Sequence, residues 1–262
     1  MTRTEGLPPV LTGKKALVVG VANDRSIAWG CASAMRKAGA DIAMTYLNER
    51  AKPHVEPLAR QVEASLFMPL EVRDAAQLDA VFDAVDKAWG RLDILVHSIA
   101  FAPKEALQGR VVDCPREGFL TAMDVSCWSF LDMARRAEPL MKDGGTMLTM
   151  TYLGANEVVD NYGIMGPVKA ALESAVRYVA TELGPKGIRV HAVSPGPLAT
   201  RAASGGIKDF DELMERVSTR APVRRLVTIE EVGAACVFLA SDYGAAMTGE
   251  TLYIDGGYHI LA

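Results

Sequence analysis

Two periods of apolar residues alternate along the chain. Short apolar runs at 15–19, 41–47, 65–70, 91–96, 145–151, 188–193 and 250–254 have the length of buried strands. Between most of them, apolar residues return every third or fourth position, as Leu78, Val81, Phe82, Val85 and Trp89 do. That spacing predicts helices over 26–37, 78–89, 117–141, 168–183 and 230–240. Gly39 follows the first helix as a stop signal, and Asp255-Gly256-Gly257 stops the last strand.

Strands joined by helices run parallel, because each crossover carries the chain back to its starting edge, and such crossovers are right-handed. The expected fold class is α/β: a single Rossmann-like doubly wound sheet of about seven parallel strands, with helices on both faces. No repeat or composition break divides it, so one domain is expected over 1–262. One connection is out of rhythm. Residues 194–229 include Pro195, Gly196, Pro197, Gly205, Gly206 and Pro222 and leave the carboxyl end of a strand, where ligands bind in such sheets. The segment at about 196–225 is expected to cover a substrate, with Ile207, Phe210, Leu213 and Met214 as its apolar members. The alternative is a surface helix with an ordinary core stripe.

Composition narrows the function. Hydrophobic residues make up 50% of the chain, ample for one core, and aromatics only 6%, which suits helices packed on a sheet. A net charge of -4, with no run of Lys and Arg, argues against nucleic-acid binding. No apolar run reaches the roughly 20 residues of a membrane span. Residues 1–13 contain Pro8 and Pro9 and no apolar h-region, so no signal peptide is expected. Cys31, Cys114, Cys127 and Cys236 show neither a Cys-x-x-Cys pairing nor a His at ligand spacing. They read as reduced, mostly buried thiols of a cytoplasmic protein without a metal.

The first strand runs into Gly20, and a helix follows from Ser26. A dinucleotide pyrophosphate needs a tight turn, close backbone approach and a helix N-terminus. Gly20 supplies the turn, Ala22 is small, and Ser26 can cap the helix and offer its hydroxyl to phosphate. At the end of the second strand, Leu47 holds neither a ribose hydroxyl nor a 2′-phosphate, while Arg50 lies slightly beyond. This favours NADH, with NADPH as the alternative.

Tyr162 and Lys169 are seven positions apart. On a helix that is nearly two turns, about 10 Å, and places both on one face. Pro167 sets the regular helix start near Gly166, with Tyr162 on the entering turn. A phenol can then meet a substrate oxygen while the ammonium reaches a cofactor ribose and favours negative charge near the phenol.

From Leu11 to Gly257 the chain resembles the short-chain dehydrogenase/reductase superfamily, and within it the NADH-type enoyl-acyl-carrier-protein reductases. The ordinary superfamily motif Tyr-x3-Lys fails, because Met165 stands four before Lys169. The reductase pattern is met by Tyr162-x6-Lys169 with Tyr152 ten positions earlier. It is also met by Gly20 with Ser26-Ile27-Ala28, by His97 to Pro103, by Ser194 to Thr200, and by Ala203-Ser204 followed by Gly206 to Phe210.

The resemblance implies that Gly20, Ser26, Ile27, Leu47, Glu71, Val72, Ile99, Lys169, Leu198 and Thr200 line the cofactor. It places Ala102, Met165 and Phe210 around an acyl thioester, with Tyr152, Tyr162 and Lys169 catalytic. It further implies an enoyl thioester substrate on acyl carrier protein and a homotetramer, with 249–258 as a candidate subunit contact. Four positions depart from the pattern: Ala100 replaces a Gly, Leu47 replaces an adenine-contacting residue, and Asp211-Glu212 stand where relatives carry basic residues. His97 reads as a packed, hydrogen-bonded histidine, the Asp74, Asp79, Asp83 and Asp86 series as a solvated helix face, and Met141, Met147 and Met150 as core. The competing functions are a carbonyl or alcohol oxidoreductase of the same superfamily and a non-catalytic nucleotide-binding protein.

Overall fold

A computed structural model describes residues 9–198 and 210–261. Seven strands form one sheet: β1 (Lys15–Val19), β2 (Asp41–Tyr46), β3 (Leu66–Pro69), β4 (Ile94–His97), β5 (Gly145–Met150), β6 (Ile188–Pro195) and β7 (Thr251–Ile254). Their order is β3-β2-β1-β4-β5-β6-β7 and every pairing is parallel, as the alternation of strands and helices predicts. The helices are α1 (Ile27–Lys37), α2 (Lys52–Gln61), α3 (Ala75–Trp89), α4 (Lys104–Leu107), α5 (Arg116–Met123), α6 (Ser129–Ala137), α7 (Met165–Leu183), α8 (Phe210–Arg220) and α9 (Ile229–Ala240).

The sheet divides two cores. Leu17 and Val19 of β1 enter the one shared with α3, α5, α6 and α7, while Ala16 and Val18 enter the one shared with α1, α2 and α9. Successive side chains point to opposite faces, and both faces are covered, so the strands read as continuous apolar runs.

Four expectations need correction. α2 lies where no helix was expected, because Pro53 and Pro57 mask its pattern. Pro53 sits in the first turn, where no intrahelical donor is needed, and Val55, Leu58 and Ala59 form the buried stripe. The helix expected over 117–141 is interrupted by a π-helical turn, Asp124–Trp128. Buried Ser126 bonds Phe101 outside the helix, while buried Ser129 donates back to Val125 O, the i−4 carbonyl (2.6 Å), and meets His97 at 2.8 Å. Asp74 is not a simple solvated residue but the N-cap of α3, accepting from the amides of Ala76 and Gln77. Finally, α7 begins at Met165, three residues before the helix expected over 168–183 and beside the Gly166 start that Pro167 predicts.

Within the expected covering segment, Leu213 and Val217 of α8 and Ala221 just past it are buried in a small cluster with Val159, Met214, Leu226 and Tyr258. The described part of the segment therefore packs on the connection between β5 and α7 and on the end of the chain. Thr200 and Ile207 lie outside the described residues, as does the side chain of Phe210.

Candidate active site

The carboxyl ends of the strands meet the switch point between β1 and β4, where open α/β sheets bind ligands. Gly20 ends β1 with φ +106, and a Cβ there would stand 2.1 Å from Ser98 O. The position demands glycine for its left-handed backbone and for the close approach of β4. Ser26 does not cap α1 with its side chain, contrary to expectation. Its Oγ turns back and accepts from the amides of Ala22 and Asn23, both at 3.0 Å, which fixes the loop. The first-turn amides of Ile27 and Ala28 thus have no side-chain cap, as an anion-binding helix N-terminus requires. At the end of β6 the buried Ser194 hydroxyl has no partner among the described residues. A glycine cradle, an uncapped helix start and an orphaned hydroxyl on one edge fit a dinucleotide.

The other expected cofactor residues lie at strand ends on the same edge. Leu47, 52% exposed, follows β2, and beyond it Glu49 accepts from the Tyr46 hydroxyl (3.2 Å) and lies 3.8 Å from Lys52. Glu71 and buried Val72 follow β3, half-buried Ile99 follows Ser98, and buried Leu198 follows β6. Half-buried Ala102 is next to Phe101, whose amide and carbonyl both bond the Ser126 hydroxyl, at 2.9 and 3.1 Å.

The residues expected to react flank β5 and α7. Tyr152 lies two residues past β5. Tyr162 does not belong to a helix: Asn161 (φ +59) and Gly163 (φ +53) bracket it in left-handed conformations, which no helix continues through. The two-turn spacing on one helical face therefore does not apply, and a turn positions the phenol. Its ring rests on Gly154, where a Cβ would be 2.4 Å from Tyr162 Cδ1, and meets Tyr152 edge-on with centroids 4.9 Å apart. Met165, buried in the same core, opens α7. Lys169, also buried, donates from Nζ to Met150 O at 2.7 Å.

Burial dominates the electrostatics. It raises the Tyr162 phenol well above the usual range, helped by Tyr152 and Glu173. It brings Tyr152 up to about 12, with Tyr258 adding to it. Both are neutral phenols near pH 7, so Tyr162 is a hydrogen-bond donor. Burial lowers Lys169 to about 8 against the opposing pull of Cys127 and Glu173. His97 is fully buried between Thr149 and Ser129, each at 2.8 Å, and burial followed by Lys169 lowers it to about 3. It is a neutral packed residue, as expected.

Sequence reasoning missed Glu173, Asn156 and Ser126. Glu173 did leave a signal: with Lys169 it interrupts the buried α7 stripe of Met165, Val168, Leu172 and Val176 at helical spacing. No cluster of metal-binding side chains occurs among the described residues, and their cysteines are unpaired.

Fold and site together define a dinucleotide-binding oxidoreductase of the doubly wound class. The family profile described as Enoyl-(Acyl carrier protein) reductase matches residues 20–259, so the chain belongs to that family. It is 47% identical over 259 residues to enoyl-(acyl-carrier-protein) reductase (NADH) 1 of Rhizobium meliloti, covering 99% of this chain and 94% of the relative. It is 44% identical over 253 residues to enoyl-(acyl-carrier-protein) reductase (NADH) FabI of Escherichia coli, covering 96% of each. Among solved structures, the Anaplasma phagocytophilum reductase in complex with NAD superposes with a TM-score of 0.94 at 45% identity, over 98% of this chain and 97% of the other. The Bacillus cereus reductase with NADP+ and indole naphthyridinone gives 0.94 at 45%, over 97% and 99%.

Proposed function

We propose that the protein reduces the 2,3 double bond of a trans-2-enoyl thioester carried on acyl carrier protein, the reductive step of fatty-acid elongation, with NADH as cofactor. The observation that carries this reading is a neutral Tyr162 phenol packed edge-on against Tyr152 at the carboxyl edge of β5. A bound dihydronicotinamide supplies hydride to C3 of the enoyl group. The chain's own residues deal with the charge this places on the thioester oxygen. Tyr162 donates a hydrogen bond to that oxygen, an interaction that strengthens as the enolate forms and so lowers the barrier. Lys169, at present bonded to Met150 O, holds the ribose with its ammonium. The proton for C2 comes from Tyr152 or from water. Ala102, Met165 and Phe210 surround the acyl chain, and Gly20, Ser26, Ile27, Leu47, Glu71, Val72, Ile99, Leu198 and Thr200 the cofactor.

NADH is favoured over NADPH because the relatives are named for it and Glu49 stands just past β2. The protein acts in the cytoplasm; no described helix is long and apolar enough to cross a membrane. A homotetramer is supported by exposed Phe119, Leu120, Trp128 and Tyr178 on α5, the π-helical turn and α7. The test compares turnover with NADH and NADPH, carrier-protein and coenzyme A thioesters of several chain lengths, and a ketone. The expected result is fastest turnover with NADH and an enoyl thioester; a ketone reduced faster than any enoyl thioester would overturn the proposal.

A further inference from the structure

Thr151 and Asn156 bound the short segment that carries Tyr152, and both bond the same buried carboxylate. Glu173 is 4% exposed on α7, one turn beyond Lys169. Its Oε1 accepts from the Thr151 hydroxyl at 2.7 Å, and its Oε2 accepts from Asn156 Nδ2 at 3.0 Å. It has no ion pair with a Lys or Arg among the described residues. A buried carboxylate is costly without a cation, and a neutral side chain of the same shape could serve packing alone. Asn156 Nδ2 also donates to the Tyr253 hydroxyl at 3.1 Å, and Tyr253 stacks on His259, tying the segment to the end of the chain.

We propose that Glu173 is the positioning residue of this site: it fixes the Tyr152 segment against α7 through Thr151 and Asn156, and it sets a negative charge one turn from Lys169. The inference rests on the reductase reading only in assigning uses to Tyr152 and Lys169. Four groups surround Lys169 electrostatically: Glu173 on its own helix, Cys127 on the π-helical turn, His97 on β4 and, through Glu173, Tyr162 on the preceding turn. Of these, His97 is neutral and Cys127 is pushed by burial toward its neutral thiol. Glu173 supplies the negative charge. Its effect on Lys169 favours the ammonium that a ribose contact needs.

The test uses Glu173→Gln, which keeps the shape and removes the charge, and Asn156→Ala, which keeps the charge and removes one tether. NADH affinity is measured against pH by calorimetry, and amide hydrogen exchange of 151–162 is measured without cofactor. In Glu173→Gln the pH at which NADH affinity falls is expected to move down by about one unit. In Asn156→Ala that midpoint stays in place, while exchange across 151–162 rises at least tenfold. Neither readout requires enoyl reduction, so failure of the reductase assignment would leave them standing. A Glu173→Gln midpoint equal to that of the wild type would overturn the charge role. Unchanged exchange in Asn156→Ala would overturn the tether, and this arm remains decisive if the Gln variant does not fold.

Discussion

At Lys169 the protein holds an ammonium where burial favours the amine, and it does so close to where a ribose is expected. The sign of the resulting pH dependence follows. The cofactor-free side chain is protonated below about 8 and neutral above it. NADH affinity is therefore full below that pH and weakens above it, by up to about tenfold per unit, as titration calorimetry from pH 6.5 to 9.5 checks. Lys169→Ala is expected to weaken NADH at neutral pH, whereas Tyr162→Phe leaves its dissociation constant within twofold and lowers turnover on the order of 10²-fold. The sequence singles out Tyr152, Tyr162 and Lys169 through spacing and the motifs around them, and the structure brings the two tyrosine rings into contact. What spacing alone misplaced was the support of Tyr162: Asn161 and Gly163 turn left-handed on either side of it, and a side-chain interval does not reveal a backbone reversal. Ser26 misled in a similar way, since a residue suited to capping a helix can equally bond backwards into its own loop.

At the scale of elements, the connections into α6 and α7 shape the site. Gly154→Ala would drive a methyl into the Tyr162 ring. It is expected to lower turnover while sparing NADH binding, a split that steady-state kinetics with calorimetry resolves. Ser126→Ala removes both bonds to Phe101 from the π-helical turn. It is expected to lower stability by about 1–3 kcal/mol in urea unfolding. Strands and most helices were legible because apolar periodicity reports burial directly. α2 was not, since Pro53 in its first turn and Pro57 inside it look like breakers, and the π-helical turn was not, since a single widened turn leaves helical spacing on either side of it. The segment expected to cover a substrate stands out as an exception to the rhythm, and in its described part Leu213 of α8 packs inward with Val159 and Tyr258, as the alternative of an ordinary core stripe predicts.

For the whole molecule, one parallel sheet with its crossovers on both faces brings the carboxyl ends of all seven strands to one edge, which is why residues as distant as Gly20, Tyr152 and Leu198 lie along that edge. The strict alternation made this architecture legible from the chain alone. Carrier and assembly were not equally legible, because both depend on surfaces that meet other molecules. Light scattering is expected to give roughly four times the 28.1 kDa of one chain. The central claim is hydride transfer to carbon three of an enoyl thioester, and it is tested most directly with NADH deuterated at its transferable position. Mass spectrometry of the product should find a saturated acyl thioester carrying one deuterium, at C3. Deuterium on the carbonyl carbon of an alcohol or aldehyde, or an unlabelled and unreduced acyl chain, would contradict it.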